Sequence, residues 1–275
     1  MDHLSHQLAT QLQADLVPIV HPSFNRMFTG YSRRWQQVVF VKAFTPERRG
    51  KFEIERCVNQ QLNDRVLTSW QGPAGEWILV MRDLSVTPLS TPITPALATQ
   101  MGQVLAHFHQ TVSLPVPKTL AVFDFADTEA KIARLPVTPL VGRLTALMSI
   151  FERQAGAIKT ELGQTKLLGL HGDVSCRNYQ FVEGKLQLID FERAKMGYPQ
   201  EELQKLFYQD FADQPACRSA FLAGYGALPI LSPLTKGWLT FRTAVGIFCY
   251  VQAMPDPQFE RVGQRMLQAV EHDLT

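Results

Sequence analysis

Asp173, Asn178 and Asp190 put two carboxylates and an amide oxygen into one short stretch of chain. Oxygen donors of this kind suit a hard cation such as Mg²⁺, which is held by one or two carboxylates plus substrate phosphates. Asp173, on the loop leading into the stretch, is placed to face a substrate as a general base. Elements that could position these groups flank them. Tyr179 to Val182 and Leu186 to Ile189 are short apolar runs rich in β-formers. Glu183, Gly184 and Lys185 read as the turn between them, with Gly184 able to take positive φ. Pairing Val182 with Leu186 sets Asn178 opposite Asp190, at a Cα separation of about 4.5–5.5 Å in an antiparallel ladder. The pattern therefore predicts an amide and a carboxylate converging at the open end of a hairpin.

His171-Gly172-Asp173, four residues and then Asn178, followed after the hairpin by Ile189-Asp190-Phe191-Glu192, resembles a known motif pair. It is similar to the catalytic loop and metal motif of the aminoglycoside phosphotransferase and choline kinase family, small-molecule kinases related to the protein kinases. The resemblance runs from about residue 17 to residue 205 and weakens beyond. It implies an α+β, protein-kinase-like fold of two lobes. Residues 1–84 would be an N-terminal nucleotide-binding lobe built on an antiparallel sheet. Residues 85–275 would be a larger, mostly helical lobe with the catalytic loop, its hairpin and the acceptor site. It implies Asp173 as base, Asn178 and Asp190 as ligands of Mg²⁺, and ATP or GTP as phosphate donor to a hydroxyl of a small molecule. An aminoglycoside, an amino sugar, a choline-like alcohol or another metabolite would fit. Arg177, beside a metal ligand, could offset charge on the transferred phosphoryl group. His171 and Gly172 would shape the loop, and Glu192 could add a further contact.

Upstream, the texture is of strands. Val17 to Val20, Arg26 to Tyr31 and Val38 to Phe44 read as the first three, and Lys42 is the one charge in the third. A helix from Glu47 to Leu62 follows, in which Glu55, Val58 and Leu62 share a face. A strand lysine and a helix glutamate on the inward face hold the α and β phosphates in kinase-like folds. Lys42 and Glu55 are the pair this implies, with Glu53 as rival. The loop from His21 to Asn25 lacks the glycines that let backbone N–H groups approach phosphates. Ser23 and Asn25 could supply side-chain contacts instead. Gln71 to Gly75 is a turn, and Glu76 to Met81 a strand. By analogy Met81 stands beside the adenine pocket, with backbone groups of Arg82 and Leu84 contacting the purine.

Thr94-Pro95 opens a helix running to about Gln110, with Met101, Val104, Leu105 and Phe108 on one face. His107 and His109 point to different sides of it and read as structural or solvent-facing. Leu144 to Leu162 is helical. Further helices are expected at Glu201 to Phe211, Pro215 to Tyr225, Pro233 to Met254 and Gln258 to Asp273. The resemblance implies that such helices line the acceptor pocket. Glu202, at a position where many relatives have Asp, is one acidic candidate there, alongside Asp210, Asp213 and Asp256.

The 275 residues carry a formal net charge of +2, with 19% charged and 45% hydrophobic residues, which does not point to nucleic acid or a membrane surface as partner. Cys57, Cys176, Cys217 and Cys249 are scattered, as in a reduced cytoplasmic protein. The N-terminus has no basic start and apolar core, so no signal peptide is expected. Gly237 to Met254 is the most apolar stretch, with Arg242 inside it, and reads as a buried helix rather than a membrane span. Two rivals stand beside the small-molecule kinase. A protein kinase fits poorly, because Asp190-Phe191 is followed by Glu192 and little chain is left for an activation loop. A catalytically inactive kinase-fold binding protein would suit the glycine-poor loop.

Overall fold

The computed structural model describes residues 3–20, 23–89, 92–212 and 214–274, so His21, Pro22 and Asp213 lie outside the described residues. From the N-terminus come α1 (His3–Leu12), β1 (Ala14–Pro18), β2 (Arg26–Ser32), β3 (Gln37–Phe44), α2 (Arg49–Leu62), β4 (Val66–Gln71), β5 (Trp77–Arg82) and β6 (Thr87–Pro88). Next are α3 (Pro95–Thr111), α4 (Phe125–Ala133), α5 (Pro139–Arg153), α6 (Ala155–Gly163) and β7 (Leu168–Leu170). The hairpin strands β8 (Tyr179–Val182) and β9 (Lys185–Leu188) follow, and then β10 (Lys195–Gly197), α7 (Gln200–Lys205), α8 (Pro215–Tyr225), α9 (Pro233–Ala253) and α10 (Pro257–Leu274).

The chain forms two compact units, residues 1–88 with 180–194 and residues 89–179 with 195–275. The first is a five-stranded antiparallel sheet in the order β1-β2-β3-β5-β4, with α1 and α2. Central strands β3 and β5 bury both faces, as their unbroken apolar runs require. Lys42 sits on β3, registered against Met27 and Leu79. The expected first strand begins earlier, at Ala14, and β4 was not anticipated. The hairpin expected in the large lobe belongs to this first unit, because Thr87 and Pro88 pair with Phe181 and Gln180.

The hairpin also differs in register. Its loop is the two residues Glu183 and Gly184, both at positive φ (49° and 77°), the signature of a type I′ turn. Val182 therefore faces Lys185 rather than Leu186. Asn178 lies before the ladder in a short turn, Cys176–Asn178, and Asp190 lies after it at a φ of 65°. The proximity of the two through strand pairing does not follow from this ladder.

The second unit is helical. Thr94 caps α3 by accepting from the Leu97 N–H at 3.3 Å, and Ser232 caps α9 in the same way. Prolines occupy the first positions of α3, α5, α8 and α9, where no intrahelical N–H is needed. α3 and α8 touch backbone to backbone: a Cβ on Gly102 would lie 2.1 Å from the Phe221 carbonyl oxygen, and one on Gly224 2.0 Å from that of Thr99. Only glycines permit that approach. α9 is the predicted buried helix, with Trp238 fully buried, stacked on Phe125 and donating to the Val122 carbonyl at 2.9 Å. Burying an apolar side chain of this size is worth upwards of about 1.5–3 kcal/mol. Among the described residues, no helix is long and apolar enough to cross a membrane. The expected Glu201 to Phe211 helix is α7 followed by a π-turn, Leu206–Asp210, in which the Phe211 N–H reaches the Leu206 carbonyl. The break at Gln154 divides the expected Leu144 to Leu162 helix into α5 and α6.

Candidate active site

In the first unit the site is organised by one buried ammonium. Lys42 Nζ lies 2.6 Å from Asp190 Oδ1, 3.1 Å from Glu192 Oε2 and 3.5 Å from Glu55 Oε2, with its side chain 5% exposed. Burial alone would lower its pKa, but Glu55, Asp190 and Glu192 outweigh that and hold it above the ordinary lysine range. Burial pushes the Glu55 carboxyl up, with Lys42 pulling it the other way. Glu53, the rival, is on the exposed side of α2 and pairs with Arg49. β3 brings the lysine and α2 the glutamate, so two local patterns, a buried strand and a helix face, meet in one ion pair.

One partner, Arg48, was missed in the sequence. Arg48 Nη2 donates to Glu192 Oε1 at 2.8 Å, and its Nε donates to Asn25 Oδ1 at 3.0 Å. Asn25 Nδ2 donates in turn to Glu192 Oε2 at 2.6 Å. The Asn25 amide is thus engaged within the cluster at both ends. Ser23 Oγ accepts from the Asn25 N–H at 3.1 Å, the local bond that shapes this loop. The candidate purine-side residues divide. Met81 is wholly buried, packed with Phe44, Phe52 and Leu79. The N–H of Arg82 donates to the Arg65 carbonyl and its own carbonyl accepts from Arg65 Nε, both at 2.8 Å, so its backbone is already engaged. Leu84 is half-buried.

This cluster bears on metal binding. Glu55, Asp190 and Glu192 converge on Lys42, with Arg48 paired to Glu192, and the Asp190 side chain is 46% exposed. A partly exposed carboxylate oxygen such as that of Asp190 is the kind of donor that fits a hard cation. Among the described residues no group of three or more His, Cys, Asp or Glu side chains could hold a metal ion.

In the second unit the organising atom is an anion. Asp173 Oδ2 accepts from Arg177 Nη2 at 2.6 Å and Oδ1 from Lys205 Nζ at 2.8 Å. Asn178 Nδ2 donates to the Asp173 carbonyl at 2.8 Å, closing the loop on itself, and the Asp173 N–H reaches His171 Nδ1 at 3.3 Å. Gly172 sits at a φ of 82°, the left-handed conformation that glycine takes without strain. Lys205 was not singled out in the sequence. It is one ordinary lysine at the end of α7, and only tertiary folding joins it to Asp173.

Glu202 pins the start of this loop. Its Oε2 accepts the His171 N–H at 2.9 Å and pairs with His109 Nε2 at 2.8 Å, and its Oε1 accepts the Gly172 N–H. Burial pushes its carboxyl up, but the bonds from His109 and the loop outweigh this and hold it below the usual range. The other ring nitrogen of His109, Nδ1, is hydrogen-bonded with the Tyr225 hydroxyl, 2.7 Å away. His109 is buried while His107 is exposed, as their different sides of α3 required. The other acidic candidates have local work: Asp256 caps α10 through the Gln258 and Phe259 N–H groups. Asp210 packs beside Cys176, where burial raises its carboxyl to about 6 against the pull of Lys205.

A cavity of about 230 Å³ opens on Asp173, lined also by Lys195 of β10, by Glu201, Glu202 and Lys205 of α7 and by Arg242 of α9.

The phosphotransferase enzyme family model matches residues 57–238. Choline kinase LicA from Streptococcus pneumoniae superposes with a TM-score of 0.68 at 17% identity, over 98% of each chain. A choline/ethanolamine kinase family protein from Mesorhizobium loti gives 0.64 at 15% identity, over 99% of this chain and 94% of that one. Amicoumacin kinase hAmiN, solved with AMP-PNP, Ca²⁺ and Ami, gives 0.61 at 13% identity, over 99% and 94%. No curated protein matches the sequence.

Proposed function

This chain belongs to the phosphotransferase enzyme family, and from that premise we propose that it moves the γ-phosphoryl group of ATP or GTP to a hydroxyl of a small molecule. The observation that carries the reading is the Asp173 loop: a carboxylate fixed through both oxygens, on a loop tied internally by Asn178 and from behind by Glu202. Phosphoryl transfer asks a protein mainly for position and charge neutralisation, and a loop held at so many points supplies position. The nucleotide complexes of two structural neighbours, LicA with AMP and amicoumacin kinase with AMP-PNP, support the same use here.

Asp173 orients the acceptor hydroxyl and accepts its proton. The acceptor oxygen forms the new bond to the γ-phosphorus as the bond to the bridging oxygen breaks, its electron pair leaving on the nucleoside diphosphate. Arg177 and Lys205, both bonded to Asp173, hold its carboxylate in place and offset charge in its surroundings. Lys42, steered by Glu55, holds the α and β phosphates, and Glu192 with Arg48 keeps that lysine in place. Asp190 is the proposed carboxylate ligand of Mg²⁺ in the first unit and Asn178 the amide ligand carried by the second. The cation supplies neutralisation of phosphate charge. On the purine side Leu84 is the better candidate, since the Arg82 backbone is engaged by Arg65. Ser23 is the polar side chain left in its loop to meet a phosphate, because the Asn25 amide is held by Glu192 and Arg48.

Thermal unfolding with ATP and with GTP, each with and without Mg²⁺, tests the reading, since a ligand of the folded state raises its stability by mass action. A Mg²⁺-dependent rise of about 2–4 kcal/mol in stability at nucleotide well above its Kd is expected with at least one donor. No rise with either at millimolar concentration would overturn it in favour of a kinase-fold binding protein.

A further inference from the structure

Both ends of the Asp173 loop are tied to one helix, α3. At the start, Glu202 accepts the His171 and Gly172 N–H groups and pairs with His109, which stands in the last turn of α3. At the end, Tyr179 follows Asn178 and is wholly buried, and its hydroxyl donates to the Met101 carbonyl of α3 at 3.2 Å. From Met101 to His109 is a little over two helical turns, about 12 Å. One rigid element therefore spans the loop from tie to tie.

α8 fixes that element in turn. Gly102, where α3 touches the α8 backbone, is the residue after Met101. Tyr225, the last residue of α8, sets its hydroxyl 2.7 Å from His109 Nδ1, and the two rings meet edge-on with centroids 5.6 Å apart. What one ring nitrogen of a histidine bonds governs how the other is presented. Here the other, Nε2, lies 2.8 Å from Glu202. The His109 and Glu202 side chains are 1% and 3% exposed, so a partner lost there is not replaced by open solvent. Each tyrosine hydroxyl reaches the loop through another group, Tyr225 through His109 and Glu202, Tyr179 through α3.

Resting on the phosphotransferase reading, we infer that the hydroxyls of Tyr225 and Tyr179 are positioning groups for Asp173, the first fixing the start of its loop and the second the end. Neither takes part in bond making. Their work is to hold the backbone from which the carboxylate projects, and a misplacement of about 1 Å at a reacting group can cost about 10²-fold in rate. The Tyr225 tie has the larger effect, because without its hydroxyl the buried His109 Nδ1 loses its partner and the ring that steadies Glu202 is freed. The Met101 carbonyl, by contrast, lies within α3 and keeps its place in the helix when Tyr179 lets go.

Residue-resolved amide hydrogen exchange on Tyr225→Phe and Tyr179→Phe tests this, since each substitution keeps the ring and removes one hydroxyl. Tyr225→Phe should speed exchange at His171 and Gly172 by about 3–10-fold, the worth of one hydrogen bond, and Tyr179→Phe should do so at residues 178 and 179. Ile158→Val, in the buried face of α6, is the control for a general loss of stability and should leave the loop amides as they are relative to the rest of the chain. Diphosphate release from Mg²⁺-ATP or Mg²⁺-GTP, with water as acceptor, should fall in kcat by about 10-fold or more in Tyr225→Phe at unchanged nucleotide KM. Exchange that rises alike over α3, α8 and the loop would assign the hydroxyls to stability and overturn the inference. Loosening of the loop with kcat unchanged would overturn it as well. A wild-type protein that shows no Mg²⁺-dependent thermal shift with either nucleotide would sink the phosphotransferase reading instead, and the exchange pattern would still decide whether the two hydroxyls hold the loop.

Discussion

Lys42 and Asp173 are each a single charge held by groups of opposite sign, and they differ in how much water reaches them. Lys42 is 5% exposed and faces Glu55 and Glu192 carboxylates that are themselves 3% and 13% exposed. Asp173 is 10% exposed, but Arg177, a cation bonded to it, is 66% exposed. Charges removed from water interact strongly and are costly to leave unpaired, whereas pairs with a solvated partner are screened and worth little. The same motif of one ion among counter-ions therefore bears more on stability in the first unit than in the second. In the first, the cluster holds a sheet strand, a helix and the post-hairpin segment together. In the second, it fixes a carboxylate through both of its oxygens.

The sharpest way to break this comparison is to remove the central charge from each cluster. Lys42→Met leaves Glu55, Asp190 and Glu192 without their shared cation and should lower stability by about 3–5 kcal/mol, the cost of breaking a buried pair. Asp173→Asn leaves two cations that water can solvate and should shift stability by no more than about 1 kcal/mol. Its effect belongs to turnover, which should fall by about 10²–10⁴-fold. Urea unfolding of both variants, with single-turnover assays on the second, checks the pair. Equal destabilisation by the two substitutions would end the distinction.

Asp210 sharpens it from within the second unit. Its folded-state pKa, about 6, lies above the usual aspartate value, chiefly through burial, and its Oδ2 has no hydrogen-bond partner. A raised pKa means that the native state binds the proton more tightly. The stability this contributes is full below pH 3.8 and is lost as pH rises through about 6. Asp210→Asn removes the ionisation, so it should stabilise the protein at pH 8 by up to about 3 kcal/mol and change little at pH 4. Denaturant melts at the two pH values check this; an equal effect at both would assign Asp210 a different role.

What the sequence disclosed was whatever is written locally. The loop from His171 to Asn178, the lysine in an apolar strand and the glutamate on a helix face are short-range patterns, as are Thr94-Pro95 at the start of α3 and the apolar run of α9. Arg48, Lys205 and Arg242 were not legible as site residues, because nothing nearby marks them. Lys205 reaches Asp173 from 32 residues away, and Arg48 reaches Glu192 from 144. Glu202 was visible only as an acidic helix residue until its partners, His109 and the loop N–H groups, were in place. The hairpin register went wrong by one residue because Gly184 permits either a two- or a three-residue loop. Choosing between them depends on Glu183 adopting a φ of 49°, which its side chain does not advertise.

Glu53 and Glu55 give the smallest and most discriminating test, since they lie one turn-fraction apart on α2 and compete for the same role in the sequence. In the structure Glu53 pairs with Arg49 at 2.7 Å, both side chains about half exposed or more, at 46% and 64%. An i, i+4 surface pair of this kind contributes about 0.3–0.5 kcal/mol. Glu55 is buried against Lys42, where it bears on the position of the ammonium proposed to meet the phosphates. Glu53→Ala should therefore change stability by less than about 0.5 kcal/mol and leave the nucleotide KM as it was. Glu55→Gln should raise that KM, because Lys42 then leans on Asp190 and Glu192 alone. Steady-state kinetics on the two variants decide between them: a KM effect confined to Glu53→Ala would transfer the lysine-steering role to the exposed face of the helix and detach the buried cluster from nucleotide binding.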